Sequence, residues 1–145
     1  MRDMIDSEKL VTHYVDGQWI APLSTEAFPF ETPHDAAVRG SIILAGAQDM
    51  ARALDAARQA FTGFSRTSKA ERLALLRRIH DLTQERIGDL ARAISLEMGA
   101  PIDMARRAQA GAGVGHAAGF IEALEGMEEE ERLTNGDLLI RAPVG

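Results

Sequence analysis

The 145-residue sequence contains no cysteine. That removes disulfides, thiolate metal sites and any cysteine nucleophile from consideration. It has no run approaching the ~18 apolar residues that a membrane-spanning helix needs. The opening Met1-Arg2-Asp3-Met4-Ile5-Asp6 lacks the apolar core of a signal peptide. Positive charge is also in short supply: Lys+Arg is 16 against 22 Asp+Glu, a formal net charge of -6. Nucleic-acid binding needs a basic face, so this balance argues against it. The reading therefore expects a cytoplasmic protein with no nucleic-acid and no membrane partner.

What remains is ordinary soluble material, 46% hydrophobic and 26% charged. A chain of this length can bury roughly two-thirds of its unfolded surface as one domain. No repeat period is visible. Residues 12–45 read as β structure. Tyr14-Val15-Asp16-Gly17-Gln18-Trp19-Ile20 places an Asp-Gly turn between two apolar pairs. Phe28 and Phe30 alternate around Pro29, and Val38, Ile42, Ile43 and Leu44 form a β-branched run with Gly40 at a bulge.

The period then turns helical. Met50, Ala53, Leu54, Ala57, Ala60, Phe61 and Phe64 share one face, and Gly63 can end that helix. Ser68-Lys69-Ala70-Glu71 is a capping box opening a second helix, with a kink expected at Gly88 and a stop at Gly99 and Pro101. A third helix, rich in Ala and Gly, runs from about Ile102 to Leu124 and needs packing to persist. Glu128–Glu131 reads as a solvated acidic run, Asn135-Gly136 as a hairpin turn and Leu138-Leu139-Ile140 as a strand. Long apolar helix stripes with no substantial sheet to cover them suggest the first part of something larger.

Sites are hard to find from the residues alone. Gly111-Ala112-Gly113-Val114-Gly115-His116-Ala117-Ala118-Gly119 contains a G-x-G-x-x-A match. A dinucleotide loop must follow a buried strand, whereas Ala105-Arg106-Arg107-Ala108-Gln109-Ala110 is polar and helical, so packed helix is the better reading. His13, His34, His80 and His116 show no metal-ligand spacing. Arg77-Arg78 and Arg106-Arg107 read as a solvated face, pairing with acids such as Glu85 and Glu71, rather than as an anion site. No serine sits in a nucleophile elbow. Trp19 reads as a packing anchor.

Six phrases in order carry a resemblance. They are Tyr14-Val15-Asp16-Gly17-Gln18-Trp19; Phe28-Pro29-Phe30-Glu31-Thr32-Pro33; Asp49-Met50 through Ala60-Phe61; Arg72 with Leu76; Leu90-Ala91 with Glu97-Met98-Gly99-Ala100-Pro101; and Arg141-Ala142-Pro143-Val144-Gly145. Together they resemble the NAD(P)-dependent aldehyde dehydrogenase superfamily, from about residue 12 to 145. Three positions depart from its pattern: Thr32 stands where Asn is usual, Phe64 where Trp is common and Ala142 where Glu is common.

The resemblance implies an α/β parent fold, of which residues 1–145 are the N-terminal segment, about the first third. This segment is expected to be mainly α with short antiparallel strands at both ends. Residues 12–45 form a β hairpin region, 48–126 the helices, and 132–145 the start of bridging or oligomerisation strands. The complete enzyme is expected to oxidise an aldehyde to a carboxylic acid with NAD or NADP. In the family a Cys attacks the aldehyde, hydride passes to NAD(P)+, and water releases the acid. That Cys is absent here. So are the family's oxyanion-hole Asn, cofactor-ribose Lys, Gly-rich cofactor turn and general-base Glu. No catalytic or cofactor-binding residue is therefore expected in this chain, which alone should be inactive. Some family members hold a structural monovalent cation at the positions matching Phe30, Glu31 and Glu97, where oxygen ligands suit a hard cation; the reading weighed against it, and preferred, is a capped helix end with no ion. The expected partner is the remainder of the enzyme chain or further copies in a homo-oligomer. The rival expectation is a non-enzymatic helical interaction module.

Overall fold

The structure is a computed structural model that describes residues 11–142. Met1–Asp6 and the Pro143-Val144-Gly145 end of the last phrase therefore lie outside the described residues. The described residues begin with two hairpins. Strands β1 (His13–Val15) and β2 (Gln18–Ile20) pair antiparallel with Val15 opposite Gln18. Asp16 and Gly17 both take positive φ, 52° and 75°, as a two-residue turn between twisted strands requires. Trp19 is not an internal anchor: it stays 53% exposed and tilts against Tyr14 with ring centroids 5.1 Å apart. With only two strands, this hairpin has no inner sheet face in which to sink an indole.

Strands β3 (Ala27–Thr32) and β4 (Ala37–Ile43) form the second hairpin. Its register shifts between Phe30 and Glu31: Phe30 faces Gly40 but Glu31 faces Val38, so Arg39 is the extra residue, beside the predicted Gly40. The turn is held by Thr32, which is fully buried. Its hydroxyl lies within hydrogen-bond reach of Asp35 and the Ala37 carbonyl, and it accepts from Arg39 Nε at 3.2 Å. Ala36 pays a backbone cost there, with φ at 52°. A left-handed alanine is strained where glycine is not, so Ala36→Gly should raise stability by about 1 kcal/mol. Urea unfolding checks this; an unchanged or lower midpoint would mean that the turn carries no such strain.

Four helical stretches follow. Helix α1 is Ala47–Phe64 and α2 is Lys69–Glu85. The capping box forms as its spacing predicts: Glu71 N donates to Ser68 Oγ at 3.2 Å and Ser68 N to the Glu71 carboxylate at 2.8 Å. The expected kink at Gly88 is instead a break two residues earlier. Arg86 leaves helical geometry (φ -99°, ψ 15°), and α3 (Ile87–Met98) restarts behind it. Gly88 itself is helical, so the interruption comes from the turn at Arg86 and not from glycine's freedom. Gly99 then closes α3 in the left-handed conformation. Residues 102–126 are one continuous helix in three parts: α4 (Ile102–Met104), a π-helical segment Ala105–Ala110, and α5 (Gly111–Gly126). The π segment is invisible in the hydrophobic pattern.

The acidic run is exposed along its length, as read from its charge, but it is not all loop. Glu130 and Glu131 begin strand β5 (Glu130–Arg132), which pairs with β6 (Leu138–Ile140) across a turn containing Gly136 at φ 90°. Glu129 is tied to Arg72, and Glu131 to Arg141 at 2.7 Å, so backbone pairing and ion pairs order this stretch. Arg77 pairs with Glu125 on α5 rather than with Glu85 or Glu71, because α2 and α5 pack side by side. Lys69 Nζ adds hydrogen bonds to the carbonyls of Glu125 and Met127 at the end of α5.

The core is small. Among the described residues, the buried apolar side chains are Leu73, Ala91, Ala105, Ala110 and Ala117. Ala91, Ala105 and Ala110 cluster where α3 meets the π segment, with Ile87, Ile94 and Ala100 around them. The apolar stripe of α1 is left uncovered: Met50, Leu54 and Phe64 are each about half exposed, at 55%, 49% and 54%. Uncovered stripes are what the sequence pattern led us to expect, and among the described residues the sheets are two-stranded pairs too small to cover them.

Candidate functional site

Two joints tie the hairpins to the helices. The first is at Asp49, in the first turn of α1 and 6% exposed. Its carboxylate accepts from the backbone N–H groups of Leu23 (2.7 Å), Ser24 (3.1 Å) and Gly46 (3.1 Å). These bonds, that from Leu23 foremost, hold its pKa below the ordinary 3.8 despite the opposing effect of burial. His13 Nε2 donates to the Ile43 carbonyl at 3.0 Å nearby, fastening the first hairpin to the end of β4. The spacing of three from Gly46 is the signal that points to its capping role.

The second joint brings together the three residues that the resemblance singles out. Phe30, Glu31 and Glu97 line one open pocket of about 330 Å³, with Phe28, Pro29 and Ile42 completing the wall. Phe30 and Glu31 flank the register shift of β3, where regular ladder pairing is interrupted. Glu97 comes from the last turn of α3. Both carboxylates are exposed, and among the described residues neither has an ion-pair partner. Of the residues lining the pocket, the two acids carry the side-chain oxygens, the donor type that hard cations take. Among the described residues, no group of three or more His, Cys, Asp or Glu is arranged to hold a metal ion. Any cation here would rely on main-chain carbonyls as well as on acids.

The other sequence candidates separate. The glycines from Gly111 to Gly119 lie inside a helix that enters already wound from the π segment, with Ala110 itself helical. Their N–H groups are spent on helix bonds, so no free helix N-terminus is offered to a pyrophosphate. Gly113 instead faces α2, where a Cβ would stand 3.8 Å from Thr83 Cγ2. This glycine stretch is thus packed helix and not a dinucleotide loop. His80 sits against Asp81 at 3.0 Å, and His34 lies 3.4 Å from Asp35, each a local pair with its sequence neighbour. No described helix is long and apolar enough to cross a membrane.

Comparison with known proteins gives this geometry its context. The model of the aldehyde dehydrogenase family matches residues 19–145. The chain is 36% identical over 133 residues to the 3-succinoylsemialdehyde-pyridine dehydrogenase of a Pseudomonas species, covering 91% of this chain and 28% of that protein. It is 32% identical to a putative aldehyde dehydrogenase of Staphylococcus aureus, with the same coverage. Among solved structures, it superposes with a TM-score of 0.84 and 37% identity on a variant of aldehyde dehydrogenase C from Pseudomonas syringae, complexed with NAD+ and octanal, covering 88% of this chain and 26% of that one. The aldehyde dehydrogenase of Bartonella henselae gives a TM-score of 0.83 at 34% identity, again over 26% of its length. The paired hairpins and helices are thus a portion of that α/β fold, and the chain spans under a third of the length of the relatives it matches. On the family match across most of its length, this chain belongs to the aldehyde dehydrogenase family.

Proposed function

We propose that this chain is the N-terminal helical portion of an enzyme that oxidises an aldehyde to a carboxylic acid with NAD or NADP. The observation that carries this reading is the superposition on aldehyde dehydrogenase C at 37% identity, a structure that holds NAD+ and octanal. The half-exposed stripe of α1 supports it, since such a face suits packing against further protein. In this reading the nucleophile, the base and the cofactor cradle come from sequence outside these 145 residues. The part played by this chain is to cover and brace the catalytic portion, and to begin, at β5 and β6, the strands through which subunits associate in the cytoplasm.

The same reading gives the pocket at Phe30, Glu31 and Glu97 a structural monovalent cation. The ion would be held by the two carboxylates together with main-chain oxygen. It takes no part in bond making.

A chimera tests the proposal. This chain replaces the matching portion of the Pseudomonas 3-succinoylsemialdehyde-pyridine dehydrogenase. The chimera should restore aldehyde-dependent formation of reduced nicotinamide to a truncated enzyme that lacks it, while the 145-residue chain alone shows none. A folded chimera without activity, or oxidation by the isolated chain, contradicts the reading.

A further inference from the structure

We infer that Lys69 is a positioning residue: its ammonium caps the end of α5 and so aims the β5–β6 hairpin as an arm offered to a second copy of the chain. The inference rests on the reading, proposed above, that these strands join subunits.

The hairpin has little else to aim it. Both β5 and β6 are exposed along their whole length, and among the described residues no extended contact joins either strand to a helix. The arm is closed on itself at its base. Arg141 N donates to the Glu129 carbonyl at 2.9 Å, and Arg141 Nη1 donates to the Glu128 carbonyl at 2.9 Å. Its apolar residues Leu138, Leu139 and Ile140 face solvent. From Glu129 to the turn at Asn135 a strand reaches on the order of 20 Å, so a small rotation at the base is a large displacement at the tip.

The base is held by α2. The last carbonyls of a helix have no partner within it. Lys69 Nζ donates to two carbonyls at the end of α5, those of Glu125 and Met127, both at 2.8 Å. Positive charge at that end also suits the dipole of α5. Met127 is where the chain leaves helical geometry, at φ -79° and ψ 126°. The ammonium therefore grips both sides of the bend from which the arm departs. Arg72, further along α2, adds an ion pair to Glu129 just beyond the bend. Locally, Lys69 is an unfavourable choice. It is the first residue of α2, where positive charge opposes that helix's own dipole. A residue that breaks a local rule in this way points to a role elsewhere in the fold.

The experiment uses the full 145-residue chain, whose lack of cysteine lets each introduced pair of spin labels report a single distance. Labelled chain is diluted with unlabelled chain. Labels at Thr134→Cys, in the turn of the arm, and Arg78→Cys, on α2, should give a narrow distribution. Lys69→Met keeps the apolar stem and removes the ammonium. It should broaden that distribution about twofold at temperatures well below the midpoint of the variant, because a loosened base is amplified along the arm. Labels at Arg78→Cys and Ala112→Cys, across the α2–α5 pair, should keep theirs. A lysine that only stabilises would lower the midpoint and leave both distributions unchanged, and that result overturns the inference. Lys69→Gln carries the test if Lys69→Met does not fold. Light scattering of the chimera described above reads the link to assembly, which Lys69→Met should shift to smaller species. A broadened arm with unchanged assembly overturns the reading that these strands join subunits, while the positioning role stands.

Discussion

Ala91→Leu should destabilise the chain by about 3 kcal/mol, the upper end of what overpacking commonly costs. Ala91 is completely buried on α3, and it faces Ala105 and Ala110 of the π-helical segment. Those two residues are five apart, the spacing that a π turn stacks on one face. Two helices approach there over side chains no larger than methyl groups, so added branches have no space to fill. The neighbouring Ile87 and Ile94 cannot yield without loosening α3 from the rest. Urea unfolding checks the result, with a lower midpoint and an unchanged slope. Ala112→Leu, two residues beyond Ala110 and exposed, is the control and should change stability by less than about 0.5 kcal/mol. Equal effects at the two positions would refute the tight helix contact.

Asp49→Asn should release the first hairpin from α1 and flatten the response of the protein to acid. The carboxylate accepts three backbone N–H bonds, and an amide of the same shape cannot accept them all, because its nitrogen is a donor. Hydrogen exchange should therefore quicken at Leu23, Ser24 and Gly46 while the α2–α5 pair remains protected. The pH dependence follows from the direction of the pKa. Asp49 titrates below its ordinary 3.8 in the folded protein, so its stabilisation is fully present above that value. It is lost as pH falls through the lowered folded-state pKa. Asp35, held down chiefly by its bond to Thr32, and Glu71, held down chiefly by the Ser68 N–H, behave in the same way. Thermal midpoints from neutral pH into acid should thus fall for both proteins but converge at the acid end, because the variant has one carboxylate fewer to protonate. Midpoint curves that stay parallel throughout would remove Asp49 from this role.

Much of the local architecture was readable because local chemistry causes it. Asp16-Gly17 makes a two-residue hairpin because both positions must take positive φ. Ser68 and Glu71 start α2 by satisfying each other's backbone partners. Gly99 ends α3 because the left-handed cap favours glycine. The break at Arg86 and the π segment were not readable, since neither follows from propensity or from the spacing of apolar residues. Trp19 misled for a related reason: a large aromatic in an apolar strand suggests burial, but burial needs a second layer, and this hairpin has only two strands.

The sequence by itself determined the strand and helix order, the caps and turns, the absence of a thiol, and the family, through short phrases whose residues serve local backbone needs. Only the tertiary structure decided which residues meet. It set Glu97 beside Phe30 and Glu31, Pro33 on Gly99, and Asp49 beneath the Leu23–Ser24 backbone. These pairs lie between 25 and 67 positions apart along the chain. No periodicity reaches that far. Such contacts depend on the angle at which a helix crosses a hairpin, and that angle is set by the close packing of many side chains at once.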